Sequence, residues 1–173
     1  RALLILEVGH PTEGSFIFTC TNQHIQEPND RLPMITRLSP EPIEMPQMHE
    51  EISLRLMCKL CGLYGNTNVE RNHPANFLGR AIDIVVNAKD GIIFYEIKTY
   101  NTLIQSIRAA IGQLMEYAHW SRQNRANKLV IVTQRHRVET EGINYIRYIR
   151  SKYQLPLFYQ SFDQTTGDLS EQY

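Results

Sequence analysis

Three ionisable residues stand inside two otherwise apolar runs, and their types and spacing suit phosphoryl chemistry. Asp83 lies in Arg80-Ala81-Ile82-Asp83-Ile84-Val85-Val86. Glu96 and Lys98 lie in Ile92-Ile93-Phe94-Tyr95-Glu96-Ile97-Lys98. If both runs are strands, Glu96 and Lys98 are two apart and share a face. A short turn containing Asp90-Gly91 joins the runs, so they should pair as antiparallel neighbours and bring Asp83 towards Glu96. Two carboxylates and a backbone carbonyl, that of Ile97, make an oxygen-rich site for Mg2+ or Mn2+. Such a metal offsets the repulsion between the carboxylates, polarises a phosphoryl oxygen and lowers the pKa of a bound water. Lys98 beside it can orient the attacking water and steady the developing charge. The competing reading is a buried salt bridge from Lys98 to Asp83 or Glu96. A lone Glu-x-Lys is weak, since chains of this length often hold one by accident. Three ionisable groups in two apolar strands are costly to bury without a task.

The elements that must position these residues follow from periodicity. Residues 49–61 have helical spacing and run up to Gly62, which should end the helix. A short strand is expected over 67–72, strong strands over 80–86 and 92–98, and a long helix over 102–124. Residues 128–133 read as a fully buried strand, 139–152 as a helix and 155–160 as a last strand. The order is α, β, β, β, α, β, α, β, an α/β sandwich with a mixed central sheet. Upstream, β-rich runs at 2–8 and 15–21 flank His10-Pro11-Thr12-Glu13-Gly14, a hairpin signal. Pro28, Pro33, Pro40, Pro42 and Pro46 then punctuate a connector, because proline suits neither ladder nor helix interior. The expected organisation is an N-terminal β appendage and proline-rich connector over 1–47, then the main domain over 48–173.

Whole-chain quantities narrow the class. The chain has 173 residues and zero formal net charge, which argues mildly against a bare electrostatic nucleic-acid binder. The distribution is uneven. Residues 1–70 carry five Lys/Arg against nine Asp/Glu, a net of −4, and residues 71–173 carry thirteen against nine, a net of +4. The basic excess peaks over 120–152, where Arg122, Arg125, Arg135 and Arg137 are candidate phosphate contacts and solvated loop and helix faces are the plain alternative. Three cysteines make no disulfide framework, so a reducing, cytoplasmic setting is expected. The apolar run at 2–6 is too short to span a membrane. Opening at Arg1, the chain reads as a domain of a larger protein. Cys58 and Cys61 have no second cysteine pair and read as small apolar core residues.

Taken together, Gly79-Arg80-Ala81-Ile82-Asp83, Glu96-Ile97-Lys98 and Gln113-Leu114-Met115-Glu116-Tyr117 resemble the motifs of the PD-(D/E)XK nuclease superfamily. They resemble especially its RecB-like and lambda-exonuclease-like branch, with the pattern G-x-x-x-D, E-x-K, Q-x-x-x-Y. The resemblance covers about residues 48–134. Ile82 stands where the name-giving proline would be. The resemblance implies a restriction-endonuclease-like αβββαβ core, Mg2+-dependent DNA hydrolysis, Asp83 and Glu96 as metal ligands and Lys98 as the catalytic lysine. It implies that Gln113 and Tyr117 line the site from the following helix. At 100° per residue those two fall one turn apart, on a stripe with Ser106 and Ala110. Ile104, Ile107, Ile111, Leu114 and Ala118 form the expected core stripe. The superfamily often has an acidic residue, or in this branch a histidine, on its first helix. Here Glu50 is the first candidate and His49 the second, while Glu51 points away and pairs with Arg55 at i,i+4.

The expected partner is therefore DNA rather than a membrane, with other domains of a larger protein or a homodimer compatible. By analogy the module could serve a restriction or anti-phage defence protein. Two other readings remain: a non-catalytic nucleic-acid-binding or protein-interaction module on the same fold, and an RNase, since backbone hydrolysis needs no sugar or base readout.

Overall fold

The computed structural model describes residues 46–75, 79–120, 122, 124–134 and 140–173. The N-terminal hairpin and connector expected before residue 46 lie outside the described residues, as do Arg135 and Arg137.

Helix α1 spans Pro46–Tyr64. Its proline occupies the first turn, where a missing N–H costs nothing. Gly62 does not end it. Gly65, at φ 90°, supplies the positive φ that does, and its N–H reaches the Cys61 carbonyl at 2.9 Å. After a 3-10 turn at Asn66–Asn68 come strands β1 (Val69–Pro74), β2 (Ala81–Ala88) and β3 (Gly91–Lys98). Helix α2 (Leu103–His119) leads to β4 (Lys128–Gln134), α3 (Thr140–Tyr153) leads to β5 (Leu157–Asp163), and a two-residue strand, β6 (Asp168–Leu169), closes the order. The expected order of elements is present, with β6 added. Helix α2 stops five residues short of the expected 124, because Trp120 caps it and Arg122 turns to φ 58°.

The six strands form one mixed sheet in the order β1-β2-β3-β4-β5-β6. The first three pair antiparallel, β3, β4 and β5 run parallel, and β6 returns antiparallel. The two parallel joins need crossovers, which α2 and α3 supply. Helix α1 covers one face with Ile52, Leu56 and Leu60 against Ile84, Val86, Tyr95, Ile97 and Val132. Helices α2 and α3 cover the other with Leu103, Leu114, Ile143 and Ile146 against Phe94, Leu129 and Ile131. Covered on both sides, β4 is buried at five consecutive positions, as its unbroken apolar run demands. On α2, Ile104 is turned out to solvent at 44% and Ser106 is fully buried. The expected stripe of core residues is therefore rotated by part of a turn.

Candidate active site

The sheet opens around Asp83. β2 pairs β3 as far as Ile84↔Tyr95, and the next pair, Asp83 with Glu96, is missing from the register. On the other side β1 pairs Arg71↔Ile84 and His73↔Ile82, skipping Asn72 opposite Asp83. Asn72 sits at φ 53°, a left-handed conformation that asparagine tolerates better than most residues. The pleat breaks at the same point. Ile82 packs in the cluster under α2 and α3, yet Ile84, two residues on, packs in the cluster under α1. In an unbroken strand residues two apart share a face. Asp83 thus occupies a seam from which its side chain meets residues of both layers. Gly79, at φ 62°, makes the turn that leads into this strand.

The Asp83 carboxylate replaces the lost ladder. The Ile97 N–H donates to its Oδ2 at 2.7 Å. The two main-chain groups of one strand residue point to the same neighbour, so the Ile97 carbonyl faces the same seam. His49 of α1 places Nε2 3.3 Å from the same Oδ2. Glu50, the first candidate on that helix, is exposed and holds Arg71 at 2.6 Å. Of the two candidates, His49 is the one that lies against Asp83. One step of 100° along a helix decides which side chain meets the sheet, and the apolar residues of α1 bracket both positions.

Glu96 and Lys98 face α2 together. They form an ion pair of 2.8 Å, with Glu96 2% and Lys98 6% exposed. Glu96 Oε1 takes the lysine, while Oε2 is buried without a hydrogen-bond partner among the described residues. Burial and the nearby Asp83 charge push the Glu96 carboxyl up to about 7, against the pull of Lys98 and His49. Tyr117, 2% exposed on α2, belongs to the same electrostatic neighbourhood. Burial, then Glu96 and Asp83, raise its hydroxyl pKa, and Lys98 and Arg80 oppose them. Gln113, one turn before, is half-buried. Lys98 is in register with Thr133 of β4, whose buried hydroxyl lies 3.1 Å from that of Tyr159.

A buried carboxylate oxygen without a partner costs several kcal/mol, and a cation bound there would remove the cost. Asp83, Glu96 and the Ile97 carbonyl are hard oxygen donors suited to Mg2+ or Mn2+. Among the described residues no group of three or more His, Cys, Asp or Glu side chains is arranged to hold a metal ion. Two carboxylates are nonetheless a common protein share for Mg2+, which keeps several of its waters.

The expected phosphate contacts fare differently. Arg122 is exposed just beyond α2. Arg125 is half-buried and donates to the Ala75 carbonyl at 2.8 Å, just past the end of β1, which gives it a structural task. Cys58 is exposed and Cys61 half-buried, so only Cys61 contributes to the core. Trp120 is 62% exposed and caps the end of α2, its backbone N–H donating to the Glu116 carbonyl. Sequence reasoning missed two residues. Arg80 could have been found inside the G-x-x-x-D segment, and Asn72 carries no sequence signal, since its conformation depends on what β2 does beside it.

No helix among the described residues is long and apolar enough to cross a membrane. Comparisons of the chain with family models, curated proteins and solved structures give no match.

Proposed function

We propose that this protein is a metal-dependent nuclease that hydrolyses DNA phosphodiester bonds, as the resemblance to PD-(D/E)XK nucleases implies. The observation that carries the reading is the buried Glu96 beside Lys98, with one carboxylate oxygen unpartnered, at the point where the sheet opens around Asp83. The succession α1-β1-β2-β3-α2-β4 supports it, being the αβββαβ order that the resemblance implies. Asp83, Glu96 and the Ile97 carbonyl would hold Mg2+ or Mn2+, which supplies Lewis-acid polarisation of the phosphate and a more acidic bound water. His49 holds Asp83 in orientation from α1, and Ile97 N–H does so from β3. Lys98 donates a hydrogen bond to a phosphoryl oxygen as charge grows on it. In a site this dry that interaction is worth far more than in water. Water adds to phosphorus, one P–O ester bond breaks, and the leaving oxygen takes up a proton. Tyr117 walls the site on the α2 side, and the resemblance implies that Gln113, one turn before it, borders the site.

A buried Glu96–Lys98 bridge could also be purely structural, which would make the fold a binding module. A structural bridge gains most when both carboxylate oxygens are satisfied, and Oε2 is not. The test is incubation of the protein with plasmid and linear DNA in Mg2+, in Mn2+ and in EDTA, with an RNA substrate in parallel. Cleavage of DNA that needs the metal and stops with EDTA is expected. Cleavage that survives exhaustive chelation removes the mechanism, and RNA-only cleavage replaces the substrate.

A further inference from the structure

Large apolar side chains exposed to solvent are unevenly placed. Among the described residues helix α3 carries three of them, Tyr145 at 44%, Tyr148 at 59% and Tyr153 at 62%. Tyr145 and Tyr148 stand between two exposed charges, Glu141 in the first turn and Lys152 in the last. These four positions are spaced by four, three and four residues, the seam spacing of paired helices. At 100° per residue they fall within about 60° of one another, and the centre of the buried set lies about 120° away. That buried set is Gly142, Ile143, Ile146 and Ile149. Neither Glu141 nor Lys152 has an ion-pair partner among the described residues. The strip holds one charge of each sign, so it is net neutral and draws neither a polyanion nor a polycation. Its order is symmetric in chemistry. Tyr145 and Tyr148 are centred between Ile146 and Arg147, and Glu141 and Lys152 share that midpoint. At equal distances from it a ring stands opposite a ring, and an acid opposite a base.

We propose that this strip of α3 binds a second copy of the chain, with the two helices antiparallel across a twofold axis at that midpoint. A twofold contact uses the same patch on both subunits, so the patch must complement itself when reversed. Antiparallel pairing sets Glu141 against the partner's Lys152 and Tyr145 against the partner's Tyr148, and the axis repeats each contact. Both charges are then neutralised and the rings leave water, where aromatic pairs gain beyond their buried area. A parallel copy would set glutamate against glutamate and lysine against lysine, which repel. The contact is small. The 14 residues of α3 make a helix about 21 Å long. One such pair covers less than the roughly 1,200 Å2 at which stable complexes begin. Association is therefore micromolar or weaker. The pairing makes no use of the Asp83 centre and does not rest on the nuclease reading.

The test is sedimentation equilibrium of the full chain from about 1 to 300 µM, the range in which pairs of this strength form. The parent should pass from monomer to dimer. Tyr145→Ala with Tyr148→Ala should weaken association by about tenfold or more. Tyr145→Phe with Tyr148→Phe keeps both rings and should associate within about threefold of the parent. Glu141→Lys sets lysine against the partner's Lys152 at both ends of the contact and should weaken association by about fivefold or more. Lys152→Glu should do the same with two glutamates. Glu141→Lys and Lys152→Glu in one chain exchange the signs, restore both pairs and should bring association back to within about threefold of the parent. A parent that stays monomeric up to the highest concentration overturns the proposal. A dimer that the double alanine variant leaves unchanged places the contact elsewhere and overturns it equally. Single charge reversals without effect, or an exchange that restores nothing, overturn the antiparallel pairing.

Discussion

Glu96–Lys98 in the centre of the sheet and Glu51–Arg55 on the outside of α1 are ion pairs of nearly the same length, 2.8 and 2.9 Å. Their surroundings differ. The members of the first have side chains 3% and 8% exposed, and those of the second are each 50% exposed. Water screens the outer pair and competes for both of its ends, so it contributes a few tenths of a kcal/mol at most. The inner pair has lost its water and keeps one oxygen unsatisfied. Distance alone does not separate these two pairs. Burial does, together with whether the surrounding atoms satisfy the buried groups.

That contrast can be broken by mutation, and the largest effects should fall at the centre. Lys98→Ala and Asp83→Ala should each lower cleavage by roughly 10³-fold or more, measured as initial rates on plasmid DNA. Affinity for DNA in EDTA should change far less, and Asp83→Ala should tighten it by removing a negative charge facing a polyanion. A Lys98→Ala variant that cleaves like the parent ends the nuclease reading.

His49 tests whether the centre depends on support from the opposite layer. His49→Ala removes the α1 contact to Asp83 Oδ2 and should cost about 10- to 100-fold in activity or metal affinity, the usual range for a residue that orients a ligand. Glu50→Ala, one residue along, should leave both unchanged within about twofold, since its partner is the surface Arg71. Equal losses in the two variants would mean that helix placement rather than the Asp83 contact is at work.

Proton competition sharpens the same point. Burial and the Asp83 charge push the Glu96 carboxyl up to about 7, so on the nuclease reading protons would compete with the proposed metal below neutrality. The Mg2+ needed for half-maximal rate should rise about tenfold per pH unit below 7. Without metal the sign for stability is the opposite. A raised carboxyl pKa contributes stability that is full below pH 4.5 and is lost as pH rises through 7. Thermal denaturation in EDTA should show Tm falling from pH 5 to pH 8, Mg2+ should restore more at pH 8, and Glu96→Gln should flatten the profile. A parent whose metal-free Tm does not fall over that range contradicts the assigned burial.

The smallest effects belong to the surface, and there too connections matter more than charge. Arg150 donates to the carbonyls of Leu157 and Tyr173 and covers Phe158. Arg150→Ala should cost about 1–3 kcal/mol in chemical denaturation. Glu51→Ala should cost under about 0.5 kcal/mol.

Much of this arrangement was legible in the residues. Alternation and β-branched content locate β2, β3 and β4, and the i,i+2 spacing by itself puts Glu96 and Lys98 on one face. Phase on α2 placed Tyr117 with Ser106 and Ala110, and all three are buried. Element ends were less legible. Gly62 is tolerated inside α1 at a cost of about 1 kcal/mol, because packing of Ile52, Leu56 and Leu60 outweighs it. The two residues of β6 are too few to carry a period. On the basic segment, counting charges suggested a phosphate path through Arg125, and the fold gave that side chain a carbonyl to hold.

Local periodicity is a property of the chain, so the sequence by itself determined which residues form strands and helices and which ionisable groups share a strand face. Tertiary structure alone decided that β2 lets go of both neighbours at Asp83, that His49 and not Glu50 reaches it, and that Glu96 keeps a buried oxygen without a partner. Each of these depends on contacts between residues far apart in sequence, where a shift of one residue or of 100° around a helix exchanges a buried group for an exposed one.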